Sequence, residues 1–114
     1  MDGRFPRRGE IWQIQFPDET KHRPGLIISV NSRNQFAHSV LAIPITSNLT
    51  PSPAHVLLAT GQGGLRHTSM ARCENINHVR KDRISRGSFT GTIEPLLMRE
   101  IERALMTAVG IPVD

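Results

Sequence analysis

Residues 23–30, Arg-Pro-Gly-Leu-Ile-Ile-Ser-Val, constrain the fold more than any other stretch of the chain. Leu26, Ile27, Ile28 and Val30 form a short apolar run rich in β-branched residues and bounded by turn formers. Such a run is too short for an ordinary helix and reads as a strand buried on both faces. Pro24 has no N–H to give a ladder, so it suits a strand start or an edge, and Gly25 lets another group approach the backbone. A guanidinium, Arg23, therefore stands at the lip of a rigid apolar strand. Read alone, it is equally a functional group held in place by the scaffold or a surface arginine flanking a strand.

The neighbouring segments repeat the theme. Residues 10–16 alternate, with Trp12, Ile14 and Phe16 on one face and Gln13 and Gln15 on the other, which is the pattern of a half-buried strand. Polar loops are predicted at 17–22 and 31–37. Residues 39–45 form another apolar run, and Pro44 within it predicts an edge strand or a bulge. Residues 46–53 are turn-rich, 54–59 read as a short strand, and 60–64 carry three glycines of a turn. Residues 69–76 read as a strand that holds Arg72, Cys73 and Glu74. Residues 80–83 form a charged turn, followed by short strand candidates up to Thr92.

From Glu94 the period changes. Leu97, Ile101, Ala104, Leu105 and Ala108 recur at helical spacing, Pro95 suits the first turn and Gly110 the position past the end, predicting one helix over about 94–109. Five or six short strands followed by a helix predict a mainly β chain, a small strongly bent sheet or barrel. At 114 residues the chain has the length of one domain, 1–114, with 1–8 as a loose lead-in. A domain of this size buries only about two thirds of its unfolded surface, so pairing is a common way to gain stability. Leu97, Ile101 and Leu105 are the apolar surface expected to serve it.

The net charge is +4, and twelve of the fourteen basic residues are arginine. Arginine pairs bidentately with phosphate and stacks on bases, so the bias favours nucleic acid or an acidic partner. A single cysteine, Cys73, excludes an internal disulfide and fits a reducing cytoplasm. No signal-peptide pattern or membrane-length apolar run is present. Phosphate-loop, dinucleotide-binding, serine-hydrolase and paired-histidine metal motifs are absent. The five histidines, His22, His38, His55, His67 and His78, are scattered and read as surface residues, and Cys73 as a small buried apolar residue.

Four pieces in register nevertheless point to a family. Arg8-Gly9-Glu10-Ile11-Trp12, His22-Arg23-Pro24-Gly25-Leu26-Ile27-Ile28, Ile43-Pro44-Ile45-Thr46-Ser47 and Arg72-Cys73-Glu74 resemble, in order and spacing, the MazF/PemK/Kid family of bacterial toxins. The resemblance runs from about residue 7 to 110. It implies an SH3-like β-barrel with a C-terminal helix, a homodimer, and a metal-independent endoribonuclease without cofactor that cuts single-stranded RNA selectively and arrests growth. It also implies neutralisation by a cognate antitoxin whose flexible acidic tail covers the RNA groove.

By the same resemblance, Arg23 falls on the arginine of the Arg-Pro motif, Thr46 on the threonine of the Pro-x-Thr motif, and Arg72 and Glu74 on the arginine and acid of the Kid-type Arg-Cys-Asp motif. Glu here replaces Asp. These four are the expected catalytic residues, and His22, Ser47, Thr68 and Asn75 the expected substrate contacts. The chain departs from the pattern before Arg23: the loop is short, lacks the usual Gly-rich, Glu-Gln-containing stretch, and sets His22 directly beside Arg23. RNA carries its own nucleophile, the ribose 2′-OH. The site then has to supply a base, positive charge for the phosphorane and a proton for the leaving 5′-oxygen. Glu74 is the expected base, as the one acid in the candidate set, and Arg23 and Arg72 the expected charge stabilisers. Two other readings share the fold or the residues: a topoisomerase poison of the CcdB type, and a family member that binds RNA or antitoxin without cutting.

Overall fold

Hydrophobic alternation sets the strands, and their two faces serve two separate cores. The computed structural model describes residues 4–113. Seven strands and two α-helices occur among them: β1 (Glu10–Ile14), β2 (Arg23–Ile27), α1 (Asn31–Phe36), β3 (Ser39–Thr46), β4 (His55–Leu58), β5 (Ser69–Arg72), β6 (Asn77–Arg80), β7 (Gly91–Thr92) and α2 (Pro95–Ala108). The sheet is antiparallel, in the order β4-β5-β3-β2-β1-β7, and β6 also pairs with β3. After β6 the chain returns to β1. Ile84 bridges Ile14, Gln15 N–H donates to Arg83 O and Ser85 N–H to Gln13 O. The path β1-β2-β3-β6 is thereby closed on itself as a small barrel.

One core fills that ring: Trp12, Ile14, Phe16, Ile27, Val40, Ala42, Val79 and Ile84. The other lies on the opposite face, where Ile11, Leu26, Ile43, Ile45, Val56, Leu58 and Ala71 meet Met98, Ile101 and Ala104 of α2. Neighbours Leu26 and Ile27 thus enter different cores, as expected of a strand buried on both sides.

Helix α2 begins at Pro95, whose missing N–H costs nothing there. It ends with Ile111 N–H on Met106 O and Gly110 N–H on Thr107 O, Gly110 standing at φ +81°. That is the paired bonding of a glycine-terminated helix. Residues 4–8, expected to be a loose lead-in, make specific contacts: Arg8 Nε donates to Ile28 O, and its guanidinium pairs with Glu102 of α2 at 3.0 Å. Residues 1–3 of that lead-in lie outside the described part.

Several expectations are corrected. The central strand stops at Ile27, and Val30 is exposed as the residue preceding α1. Residues 31–36, expected as a loop, are helical. Six residues are too few to hold a helix alone, and α1 is anchored by tertiary bonds. The fully buried Asn34 donates to Ser29 O at 2.8 Å, and Ser29 Oγ, bonded to Asn34 Oδ1, accepts Leu41 N–H at 2.9 Å. Pro44 is not on an edge. β3 pairs with β6 through Ala42 and with β5 from Ile45 onward, so Pro44 occupies the changeover, where a missing donor breaks no ladder. β5 ends at Arg72, with residues 73–74 in a turn. Ile101 is fully buried, and Leu97 and Leu105 pack on the core under α2. Full burial removes Ile101 from the surface expected for a partner, whereas Leu97 and Leu105 are only partly buried.

One contact fixes the loop after β4. A Cβ at Gly91 would stand 2.5 Å from Gly63 C and 2.6 Å from Gly63 O, so the loop backbone lies directly on β7. Gly91→Ala must push the two backbones apart. It is expected to lower stability by about 1–3 kcal/mol, the range for overpacking, read as a lowered midpoint in thermal or urea denaturation.

Candidate nucleic-acid interface

The rigid lip predicted for Arg23 has a packing cause. Gly25, two residues on, is covered so closely that a Cβ there would lie 2.6 Å from Ile14 Cδ1 and 2.8 Å from Phe16 Cζ. The first residues of β2 are therefore seated on the barrel core, and Arg23 projects from a firm base. Beside it an open groove of about 1080 Å³ runs between the 18–24 segment, the end of β3 and the 64–69 segment. His22, Arg23, Thr46 and Ser47 all line it. Lys21 and Arg66 add to its positive lining, and His67 lies between Arg66 and Thr68 on the same wall.

The groove also holds acids that sequence reasoning missed. Asp18 and Glu19 line it, and Glu19 pairs with Arg23 at 3.0 Å. Glu74 is thus not the one acid near the candidate residues. The Glu19–Arg23 pair is about one third exposed on each side, so an incoming phosphate can compete for the guanidinium.

Arg72, Glu74 and Asn75 do not line this groove. Strand register relates them to it. Thr46 pairs with Met70, and Arg72 is two residues beyond Met70 on the same strand. Arg23 pairs with Ile14, and Gly25 with both Trp12 and Pro44. By alternation, Arg23, Thr46 and Arg72 all project from one face of the sheet, the face opposite α2. Glu74 reaches back from the turn, with its Oε2 3.9 Å from Arg72 Nε.

His55, opposite Arg72 in the β4–β5 ladder, completes this second cluster: its Nε2 lies 2.9 Å from Glu74 Oε2 and its Nδ1 2.8 Å from Thr50 O. No sequence signal marks His55, because only the pairing of β4 with β5 brings it to Glu74. Asn75 is held in the turn, its N–H on Arg72 O and its carbonyls accepting from Asn77 Nδ2. Thr68 is exposed between two groove residues, and its hydroxyl meets that of Thr60 at 3.1 Å.

The sequence profile of PemK-like, MazF-like toxins of type II toxin–antitoxin systems matches residues 7–109. The chain belongs to this family. It is 30% identical over 107 residues to Endoribonuclease MazF1 of Mycobacterium bovis and to Endoribonuclease MazF4 of Mycobacterium tuberculosis, covering 94% of this chain and 95% of each relative. A mycobacterial endoribonuclease solved with its cognate antitoxin superposes with a TM-score of 0.83 at 29% identity, over 96% of this chain and 99% of that one. The MazE–MazF complex of Deinococcus radiodurans shares the fold, with a TM-score of 0.78 at 18% identity over 96% of this chain and 99% of the other.

Within this MazF-type chain the electrostatics separate the groups. Cys73 is fully buried, and burial, reinforced by the nearby Glu74 charge, pushes its thiol up to about 12. It is a packing residue, not a nucleophile. The hydrogen bond to Glu74 and then the Thr50 carbonyl raise the His55 imidazole above its ordinary 6.5, against some burial and the Arg72 charge. For Glu74, burial pulls the carboxyl upward, but the His55 hydrogen bond, its own backbone N–H and the His55 and Arg72 charges outweigh it and hold it below 4.5. Among the described residues no group of three or more His, Cys, Asp or Glu could hold a metal ion, and no helix is long and apolar enough to cross a membrane.

These two shifts have opposite signs on the pH axis. The contribution of a raised His55 is complete below 6.5 and fades as pH climbs through its folded value. That of a lowered Glu74 is complete above 4.5 and fades as pH falls through its folded value. The pair is expected to add most stability between those limits, and less on either side. Urea denaturation across pH 4–9, compared with Glu74→Gln, checks this: the difference between the two proteins should peak inside the window.

Proposed function

We propose that this chain, an endoribonuclease of the MazF type, cuts single-stranded RNA at selected sequences by attack of the ribose 2′-OH. No metal takes part, and the products carry a 2′,3′-cyclic phosphate and a 5′-hydroxyl. The observation that carries the proposal is the placement of two arginines and a carboxylate on one sheet face: Arg23 at the groove lip, and Arg72 with Glu74 beyond the partner of Thr46. Arg23 and Arg72 neutralise the charge that builds on the phosphorane. Thr46 Oγ1 already accepts Asn48 N–H at 3.1 Å, so its own proton remains for a phosphate oxygen. Glu74, half exposed beside Arg72, takes the 2′-OH proton as that oxygen bonds to phosphorus, the P–O5′ bond breaks, and the departing 5′-oxygen takes its proton from solvent water. His22 and Ser47 contact the strand from the groove wall, and Thr68 and Asn75 from its margins.

The same reading makes the protein a growth-arresting toxin acting on mRNA in the cytoplasm and restrained by a cognate antitoxin. An acidic, disordered tail fits a groove carrying Lys21, His22, Arg23, Arg66 and His67 through charge-assisted hydrogen bonds. A homodimer is part of the proposal. The spare apolar surface is not on the inner face of α2 but at residues such as Leu57 on the outer strand β4, which is 55% exposed.

The test is incubation of the pure protein with a long RNA in the presence of a chelator. Discrete fragments with 5′-hydroxyl ends are expected, and an acidic antitoxin-tail peptide should suppress them. Binding without fragments would instead identify a non-cutting member, and neither binding nor cutting would favour a protein-directed poison. Light scattering at tens of micromolar should give twice the 12.7 kDa chain mass.

A further inference from the structure

Both ring nitrogens of His55 face oxygen acceptors. Nδ1 meets the Thr50 carbonyl at 2.8 Å, and Nε2 meets Glu74 Oε2 at 2.9 Å. A carbonyl can only accept, so Nδ1 must carry a proton. If Nε2 carried none, its lone pair would point at a carboxylate oxygen. The arrangement is satisfied only when the unit holds a proton between Nε2 and Oε2, as imidazolium and carboxylate. The His55 side chain is 7% exposed, whereas that of Glu74 is 43% exposed. The ring is walled in while the carboxylate looks outward.

We infer that His55 is the positioning residue of the cleavage site, a protonated ring that orients the Glu74 carboxylate and keeps it ionised beside Arg72. The inference rests on the reading of Glu74 as the base that receives the 2′-OH proton. It resolves a conflict in that reading, since a flexible glutamate on a turn next to an arginine would otherwise fold onto the guanidinium and leave the substrate. Glu74 Oε2 is nearer to His55 than to Arg72, at 2.9 Å against 3.9 Å. The ring thus holds the carboxylate off a closed ion pair. The charged groups facing His55 are Arg72, from the opposing strand β5, and Glu74, from the turn after it; the loop before β4 contributes the uncharged Thr50 carbonyl.

The sign of the pH dependence follows. Cleavage by a carboxylate base is lost as pH falls through the Glu74 pKa, which the His55 charge holds down. Removing that charge moves the acidic limb to higher pH. On the alkaline side, loss of the His55 proton releases Glu74 and produces a limb that a permanently neutral residue cannot show.

The experiment has two arms. In the first, the full-length protein without RNA is titrated by NMR of the His55 ring. Wild type should titrate above 6.5, the ring being doubly protonated on the acid side of that transition, and Glu74→Gln should bring it back toward 6.5. In the second, cleavage of a defined RNA is followed from pH 3 to 9 for wild type, His55→Gln and His55→Ala. Gln keeps one N–H for Oε2 without the charge. His55→Gln should lose less than the roughly 10²–10⁴-fold expected for removing the base itself, with its acidic limb moved up and the alkaline limb gone. His55→Ala should be slower than His55→Gln at every pH. RNA affinity should stay within about twofold. A His55 titration unaffected by Glu74→Gln, or a His55→Gln profile that superposes on the wild-type profile after scaling, would overturn the inference. If wild type cuts no RNA at all, the proposed activity fails and the catalytic use of the dyad fails with it. The NMR arm still decides whether the two residues share a proton.

Discussion

A single 2′-deoxyribose at the cut position is expected to stop cleavage while leaving RNA affinity nearly unchanged. In the proposed mechanism the site activates no water. It offers a carboxylate, Glu74, and two guanidiniums around a phosphate that brings its own nucleophile. Deleting that one hydroxyl removes the attacking atom, and no other group can replace it. Affinity rests on phosphate charge and on bases stacked or bonded in the groove, all retained in the substituted strand. The measurement is a gel assay of matched RNAs, with binding followed by fluorescence anisotropy. Robust cutting of the deoxy-substituted RNA, or a strict need for Mg²⁺, would mean attack by water and would reassign every residue in the site.

Arg23→Ala and Arg72→Ala should each remove about 2–4 kcal/mol of transition-state stabilisation, the range for losing one preorganised donor. That is a fall of roughly 30- to 900-fold in kcat/KM. The two should differ in kind. Arg23 lies in the groove and is bonded to Glu19 at 3.0 Å, so its removal leaves an uncompensated carboxylate facing the RNA and should weaken binding as well as rate. Adding Glu19→Gln to Arg23→Ala should restore part of the affinity but little of the rate. Arg72 stands outside the groove beside Glu74, and its loss should appear mainly in kcat. Equal losses in affinity for both variants would show that the two arginines do the same work.

The parts of this structure legible in the sequence were those with a local cause. The alternation of Trp12, Ile14 and Phe16 and the helical recurrence of Ile101 and Ala104 follow from one-sided burial. The positions of Arg23 and Thr46 in the groove follow from short motifs at strand ends. The rest depends on register between strands distant in sequence. His55 meets Glu74 only because β4 lies against β5, and Glu19 enters the groove only because the short 17–22 loop folds back beside Arg23. Helix α1 was invisible because its first five residues are all polar, Phe36 at its end is exposed, and its anchor, Asn34, works through bonds to Ser29. Pro44 looked like an edge signal because a missing donor is ordinarily tolerated there; a strand that changes partners midway offers the same tolerance in the interior.

That change of partner also divides the labour of inheritance. Up to Ala42, β3 belongs to the closed barrel; from Ile45 it carries the β4–β5 hairpin through only two ladder pairs, Ile45–Ala71 and Thr46–Met70. Arg23 is founded on the first unit, and Arg72 and His55 ride on the second. Insertions in the 47–54 segment, or exchanges along the hairpin, leave the barrel ladders in register. Changes can accumulate on one limb of the face while the arginine at the lip keeps its seat.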